Sequence, residues 1–320
     1  MVYPALSPTV GINLGSWSFL GMLLLILFTL VIKISYDKWK ITHKFMGIFF
    51  ILSIFHIFLL SDLIGKNIPL AVYLGILSFL GLCGYLYKTI LLEWAIPKAS
   101  YTVTQIEKLT DQVMEITLAP KQQTLTFTSG QFCFFSFQGA GLSSETHPYT
   151  ICNATNQRNI TVIVKALGDY TRHLYQQLKP GTTALLEGPY GKFFYNPNSN
   201  RSQVWIAGGV GIAPFISWCE EIKQKDCIET EIDLYYCVNS QKEALHLQKF
   251  NELARETPNF HIHLSCAEKD GFLKATDIPD VVHKEIFICG PKAMRQTLIP
   301  DLQKLQIRKE YIHFEDFDFF

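Results

Sequence analysis

Gly208-Gly209-Val210-Gly211-Ile212-Ala213-Pro214 and, about eighty residues later, Cys289-Gly290-Pro291 are the segments of this chain best suited to handling a nucleotide. Each follows an apolar run that reads as a strand, and each ends in a proline that opens a helix. Val204-Trp205-Ile206-Ala207 delivers the chain to the first turn. There glycine lets backbone approach a pyrophosphate, and the helix after Pro214 points its N-terminal amides at the negative charge. One such turn is no more than a Gly-rich αβ connection. Two of them, each at a strand's carboxyl end, make a nicotinamide-nucleotide site. Its candidate binding residues are Gly208, Gly209, Gly211, Pro214, Cys289, Gly290 and Pro291, with Cys289 at a strand end facing the nucleotide.

A second group lies upstream. His147-Pro148-Tyr149-Thr150 offers a cation or donor, a rigid turn, an aromatic face and a hydroxyl, which suit a phosphate tail and a flat ring; read alone, it is a proline turn with strand residues. Lys165-Ala166-Leu167-Gly168-Asp169-Tyr170-Thr171 reads as a strand end, a glycine turn and a helix that Thr171 N-caps, a second anion site. Gly188-Pro189-Tyr190-Gly191 reads as a tight turn, either packed beside the ligands or purely structural.

The elements that must position these groups change character along the chain. No charged side chain precedes Lys33, and Trp17–Ile32, Phe45–Leu60 and Ile68–Tyr87 are apolar runs of spanning or near-spanning length. A multi-pass membrane segment is the expectation. Lys33, Lys38, Lys40 and Lys44 against Asp37 place the first connection in the cytoplasm, with the amino terminus outside and everything after about Lys98 inside. From Tyr101 short strands (Tyr101–Gln105, Val113–Leu118, Gln131–Phe137, Thr161–Lys165 and Thr183–Leu186) argue for a small antiparallel barrel. The expected fold is therefore three membrane helices over residues 1–97, an antiparallel β-barrel over 98–198 and an α/β parallel-sheet domain over 199–320. With 28 basic and 28 acidic residues there is no global pull towards nucleic acid. The eight cysteines contain no CxxC pair, which excludes the zinc and plant-type iron–sulfur patterns.

Gly130-Gln131-Phe132, HPYT, LGDYT, EGPYG, GGVGIAP and CGP follow one another in the order of the ferredoxin–NADP reductase superfamily, which residues 101–320 resemble. The HPYT variant resembles the ferric reductase and NADPH oxidase branch. The resemblance implies FAD, with Gln131, His147, Pro148, Tyr149, Thr150, Lys165, Gly168 and Thr171 in its site and Tyr149 against the isoalloxazine. It also implies that Gly209 and Cys289 flank the nicotinamide and that a terminal aromatic covers the flavin. Phe319 is the candidate, with Phe317 and Phe320 as alternates, so Thr150, Cys289 and Phe319 stand nearest the chemistry. Where the family often supplies an Arg for a 2′-phosphate, this chain has Ser240 and Lys242, which leaves NADPH and NADH both open.

His43 and His56 are thirteen residues apart on the second apolar segment, roughly 20 Å along a helix. The segment resembles the fifth of six helices in the ferric reductase domain, which supplies one axial ligand to each of two b-type haems. The opposite ligands would come from a helix this chain does not show, so haem b would need a haem-bearing partner or further amino-terminal helices. The function expected is a membrane flavoenzyme carrying electrons from NAD(P)H through FAD, and through haem, to ferric iron, oxygen or a partner. A membrane-anchored NAD(P)H:flavin reductase without haem and a non-catalytic redox-sensing or assembly module are the alternatives.

Overall fold

The computed structural model describes residues 8–31, 39, 42–60, 64, 66–91, 96–139, 141–143, 145–197, 199–225 and 229–315. Two compact units divide between Pro97 and Lys98.

The first unit is helical, with α1 over Pro8–Val31, α2 over Met46–Leu60 and α3 over Ile68–Leu86. Asn67 caps α3, its side chain accepting the Leu70 amide at 3.2 Å. Three helical stretches, Val10–Val31, Thr42–Leu59 and Ile68–Thr89, are long and apolar enough to cross a membrane. Large side chains such as Trp17, Leu24, Leu30, Tyr73 and Phe79 are exposed. The contacts between helices use small residues instead. A Cβ at Gly81 would come within 2.8 Å of the Phe50 ring, and the Ser18 hydroxyl donates to the Phe49 carbonyl at 2.7 Å. Close approach with a few interhelical hydrogen bonds is how helices associate where an apolar solvent gives hydrophobic burial no advantage.

The second unit holds two sheets. β1 (Lys98–Thr110), β2 (Val113–Pro120), β3 (Phe132–Gln138), β4 (His147–Thr150), β5 (Ile160–Lys165) and β6 (Thr183–Tyr190) form an antiparallel sheet in the order β4-β3-β6-β1-β2-β5. An Ile151–Val162 bridge connects its two ends. Alternation puts Met114, Ile116, Leu118, Phe135, Phe137, Val162 and Val164 into one barrel core. Helix α4 (Asp169–Gln177) follows β5 and buries Leu174.

β7 (Gln203–Gly208), β8 (Ile232–Val238), β9 (Phe260–Cys266), β10 (Glu285–Cys289) and β11 (Ile312–Phe314) form a parallel sheet in the order β11-β10-β7-β8-β9. Helices α5 (Ala213–Lys225), α6 (Leu247–Glu256) and α7 (Lys292–Lys304) connect them. β7 and β8 are buried nearly throughout, as strands covered on both faces must be. The chain runs outward from β7 to β9 and then returns to the other side of β7, so the direction of winding reverses between β7 and β10.

The sheets share a core. Phe193 from the end of the barrel lies among Trp218, Phe215 and Phe287, with ring centroids 4.9 to 5.9 Å apart. Ser217 receives the Gly130 amide at 3.0 Å and donates to the Asn153 carbonyl at 2.7 Å. Glu221 accepts from Ser129 and Thr155, and Glu115 of β2 meets His246 at 2.7 Å. Burial alone would raise the Glu115 pKa, but the His246 bond and charge and the Lys249 ammonium hold it below the usual carboxylate range.

Candidate active site

The reversal between β7 and β10 places the two glycine turns side by side. Gly208 ends β7, Gly209–Ile212 forms a 3₁₀ turn, and Pro214 sits in the first turn of α5. Cys289 ends β10, and Pro291 caps α7. A Cβ at Gly208 would lie 2.7 Å from Cδ of Pro291, one at Gly211 2.6 Å from the Cys289 carbonyl carbon, and one at Gly290 3.0 Å from Cα of Gly208. Gly208, Gly211 and Gly290 are thus what allow the turns to touch. Gly209 does something else. Its φ is +54°, a left-handed conformation, and a Cβ there would meet nothing within 4 Å. Backbone at Gly209 therefore faces open space at the switch point of an α/β sheet, where such folds bind ligands.

The residues expected on the flavin side connect to these turns through the backbone. Thr150, Phe132 and Tyr190 pair across β4, β3 and β6 in one row. Gly191 follows Tyr190 with φ +98°, accepts from the Gln131 amide nitrogen at 3.4 Å, and lies against Glu315. The Glu315 amide in turn donates to the Ile288 carbonyl at 3.3 Å, one residue before Cys289. An unbroken path runs from the HPYT strand to the CGP turn.

His147 stacks on Tyr170 with ring centroids 4.1 Å apart and lies 3.3 Å from Glu145. Burial, reinforced by the Glu145 charge, pushes the Tyr170 phenol up to about 12. Tyr149 is pushed higher still by burial, and its hydroxyl has no hydrogen-bond partner among the described residues. A buried orphan hydroxyl costs about 1–3 kcal/mol unless something else pairs with it. Lys165 ends β5, and Gly168 opens α4 beside it, both at the barrel end that carries Tyr170.

Several sequence expectations need correction. Thr171 is not the N-cap of α4. The helix starts three residues earlier than that cap would set, with Gly168 in the capping position, and the Thr171 hydroxyl reaches back to accept the Leu167 and Gly168 amides at 3.0 Å each. The strand residues of HPYT take in its proline as well, with no turn there, because Pro148 lies on edge strand β4, where its missing N–H costs the sheet no bond. Gly188-Pro189-Tyr190 is likewise the end of β6 and not a tight turn. Cys289 is fully buried, and burial with the nearby Glu315 charge pushes its thiol well up, so at neutral pH it is a neutral SH group. Phe317, Phe319 and Phe320 lie outside the described residues. Ser240 and Lys242 sit just beyond the carboxyl end of β8, half-buried and exposed respectively.

In the helical unit His43 is exposed and stacks on Trp39, ring centroids 4.8 Å apart. Nδ1 of His56 donates to the Gly11 carbonyl of α1 at 2.8 Å, and a Cβ at Gly15 would come within 2.8 Å of Cγ in its ring. His56 is thereby engaged with α1. No group of three or more metal-ligating side chains occurs among the described residues. Glu145, Tyr170 and Glu315 were not among the site residues read from the sequence, although Tyr170 lies inside the Lys165–Thr171 motif and Glu145 two residues before His147.

An FAD-binding domain model matches residues 98–194, and an oxidoreductase NAD-binding domain model matches residues 205–298. The chain thus carries the FAD-binding and NAD-binding domains of an oxidoreductase. Among curated relatives, the F component of the Na(+)-translocating NADH-quinone reductase of Neisseria meningitidis is 30% identical over 158 residues. The match takes 44% of this chain and 38% of the relative. The corresponding Pseudomonas aeruginosa protein is 28% identical over 156 residues. The chain spans well under half the length of these relatives. Among solved structures, the FAD/NAD-binding domain of nitric oxide dioxygenase from Vibrio cholerae superimposes with a TM-score of 0.60 at 21% identity, over 68% of this chain and 97% of that one. The Amycolatopsis cytochrome P450 reductase GcoB gives 0.61 at 22% identity, over 69% and 70%. These structures share their fold with about two thirds of this chain.

Proposed function

We propose that this reductase takes hydride from a nicotinamide nucleotide onto FAD and hands single electrons to an acceptor at the membrane. One observation carries the reading: the path from Thr150 through Gly191 and Glu315 to Cys289, which ties the proposed flavin strand to the proposed nicotinamide turn. The residues fit FAD, since Tyr149 has a buried hydroxyl to pair, His147 shares its strand and Lys165 ends β5 with a second donor. Bound there, FAD supplies the conversion between a two-electron donor and one-electron acceptors.

The chain's own residues bind and orient. His147, Pro148, Tyr149 and Thr150 hold the flavin's ring and tail, with Gln131 fixing the adjoining turn. Lys165 and the free α4 amides after Gly168 meet the pyrophosphate, and Thr171 shapes that turn by tying down the Leu167 and Gly168 amides. Gly209 admits the nucleotide's phosphates, and Cys289 bounds the nicotinamide pocket as a neutral thiol. Phe319 closes the flavin's outer face, with Phe317 and Phe320 as alternates. Removing its ring in Phe319→Ala tightens apparent nucleotide binding or slows product release; a variant equal to the parent in affinity, turnover and flavin spectrum removes that role.

Residues 1–97 anchor the enzyme as three membrane passes with the lysine-rich connection in the cytoplasm, leaving 98–198 for the flavin and 199–320 for the nucleotide. Haem does not fit this chain taken alone. His43 and His56 are the only histidines before residue 98, each lacks an opposing imidazole there, and His56 already serves α1. Electrons therefore leave FAD for a partner or a free acceptor. The Neisseria and Pseudomonas relatives are components of an enzyme named for quinone reduction, which favours a partner over free ferric iron or oxygen.

The test is purification of the full chain in detergent. Releasable FAD and NAD(P)H-driven reduction of ferricyanide support the reading, as does haem well below two per chain. FAD-loaded protein that reduces no acceptor with either nucleotide contradicts it.

A further inference from the structure

The loop after β8 carries a carboxylate where a nucleotide's adenosine ribose would lie, and it carries no guanidinium. Cys237 pairs with Gly208 across β7 and β8, so Asn239 emerges only two residues past the strand position beside the glycine turn. Neighbouring strands are about 4.8 Å apart, which puts this loop within reach of a ligand whose phosphates meet Gly209. The direction of that ligand is fixed by the barrel. Gly191 and the flavin row meet the sheet at Glu315, just past β11, on the far side of β10 from β8. A dinucleotide with its nicotinamide at β10 and its phosphates at β7 must lay its adenosine over β8.

At that end Glu243 is half-buried and held in place. The Asn239 side-chain amide donates to its two carboxylate oxygens at 3.2 and 3.5 Å, and the Glu243 amide closes the 3₁₀ turn on the Ser240 carbonyl at 3.0 Å. Lys242, by contrast, is exposed. No arginine occurs in residues 237–246, and the neighbouring turn after β9, whose Glu268 amide donates to the Asn239 carbonyl, brings Glu268 and Asp270 against Lys269. A carboxylate accepts hydrogen bonds from a ribose 2′,3′-diol and repels a 2′-phosphate dianion, whereas an exposed ammonium in water does little to offset that.

We propose that Glu243, positioned by Asn239, selects NADH over NADPH. The inference rests on the oxidoreductase reading above and names the donor that reading leaves open. The atoms involved are the ribose 2′-hydroxyl as donor and the Glu243 carboxylate as acceptor; no bond is made or broken.

The experiment is steady-state ferricyanide reduction by the full, FAD-loaded chain with each nucleotide. The parent shows kcat/KM at least about tenfold higher with NADH, the size of effect one well-placed charge produces in a partly solvated site. Glu243→Gln lowers kcat/KM for NADH and raises it for NADPH, both several-fold and both through KM. A purely structural role would lower the two together. Asn239→Ala, which frees the carboxylate without neutralising it, narrows the ratio with an unchanged FAD content. NADPH equal to or better than NADH in the parent, or a ratio unmoved in Glu243→Gln, overturns the inference while leaving the oxidoreductase reading intact. Failure with both nucleotides overturns both.

Discussion

Two alanine substitutions one residue apart from a shared neighbour separate packing from binding in the nucleotide turn. At Gly211 a Cβ would sit 2.6 Å from the Cys289 carbonyl carbon and 2.8 Å from Cα of Gly290. Ordinary contact begins near 3.5 Å, so the two turns must part by about 1 Å against backbone that has nowhere to go. Overpacking of this kind costs about 1–3 kcal/mol. At Gly209 the same methyl meets nothing within 4 Å, and the penalty is the left-handed backbone alone, about 1 kcal/mol. The methyl there occupies the space through which phosphate reaches the backbone. Thermal release of FAD, followed by flavin fluorescence, reads stability, and nucleotide titration of flavin bleaching reads binding. Gly211→Ala lowers the midpoint by about 5 °C and Gly209→Ala by about half that, at 2–4 °C per kcal/mol for a unit of this size. Gly209→Ala nevertheless raises the apparent nucleotide dissociation constant about tenfold or more, the larger binding effect of the two. A Gly209→Ala protein with parental nucleotide affinity would show that phosphate does not approach this backbone.

Three further perturbations probe other parts of the molecule. Tyr149→Phe removes a buried, unpartnered hydroxyl, so the apo-protein melts at or above the parental midpoint while FAD affinity falls several-fold; unchanged FAD affinity by fluorescence quenching removes Tyr149 from the site. In the parallel sheet, burial pushes the Asp233 carboxyl up, but hydrogen bonds from His263 and Lys284 and their charges win and hold it at about 2, against an ordinary 3.8. Because the folded value is depressed, its stabilisation of about 2 kcal/mol is present above pH 4 and disappears between about pH 4 and 2, so the gap in urea midpoint between parent and Asp233→Asn narrows over that interval. A gap independent of pH contradicts the assignment. Gly15→Ala drives a methyl into the His56 ring and disturbs α1 against α2 in detergent, read as faster proteolysis of the helical unit, while ferricyanide reduction by the flavin unit persists.

The glycine and proline turns were the legible part of the site, because few residues other than Gly tolerate φ near +54° at Gly209 or the close approach of Gly208 to Pro291. The three apolar runs were legible for a comparable reason, since length and lack of charge suffice to mark them. Features set by pairing were not. HPYT reads locally as a proline turn with strand residues, yet its register with Phe132–Phe135 makes all four a strand, and nothing in them announces that partner. Strand β1 runs from Lys98 to Thr110, well beyond Tyr101–Gln105, because irregularities at Val103/Gln105 and Lys108/Thr110 interrupt its alternation and Glu107 and Lys108 face solvent. Thr171 carries an N-cap residue type at an N3 position, a choice decided by the extended backbone of Gly168. The contacts of Ser217, Trp218 and Glu221 with the barrel span 60 or more residues and follow no motif.

Hydride transfer from nucleotide to flavin is tested most directly by anaerobic stopped-flow of the FAD-loaded full chain, mixed with NADH carrying hydrogen or deuterium on the transferring face of nicotinamide C4. Bleaching of the flavin band on mixing, slowed severalfold by deuterium and by Gly209→Ala at subsaturating nucleotide, is the expected result. A flavin band that stays unchanged in loaded, folded protein with both NADH and NADPH would contradict the function assigned to these residues.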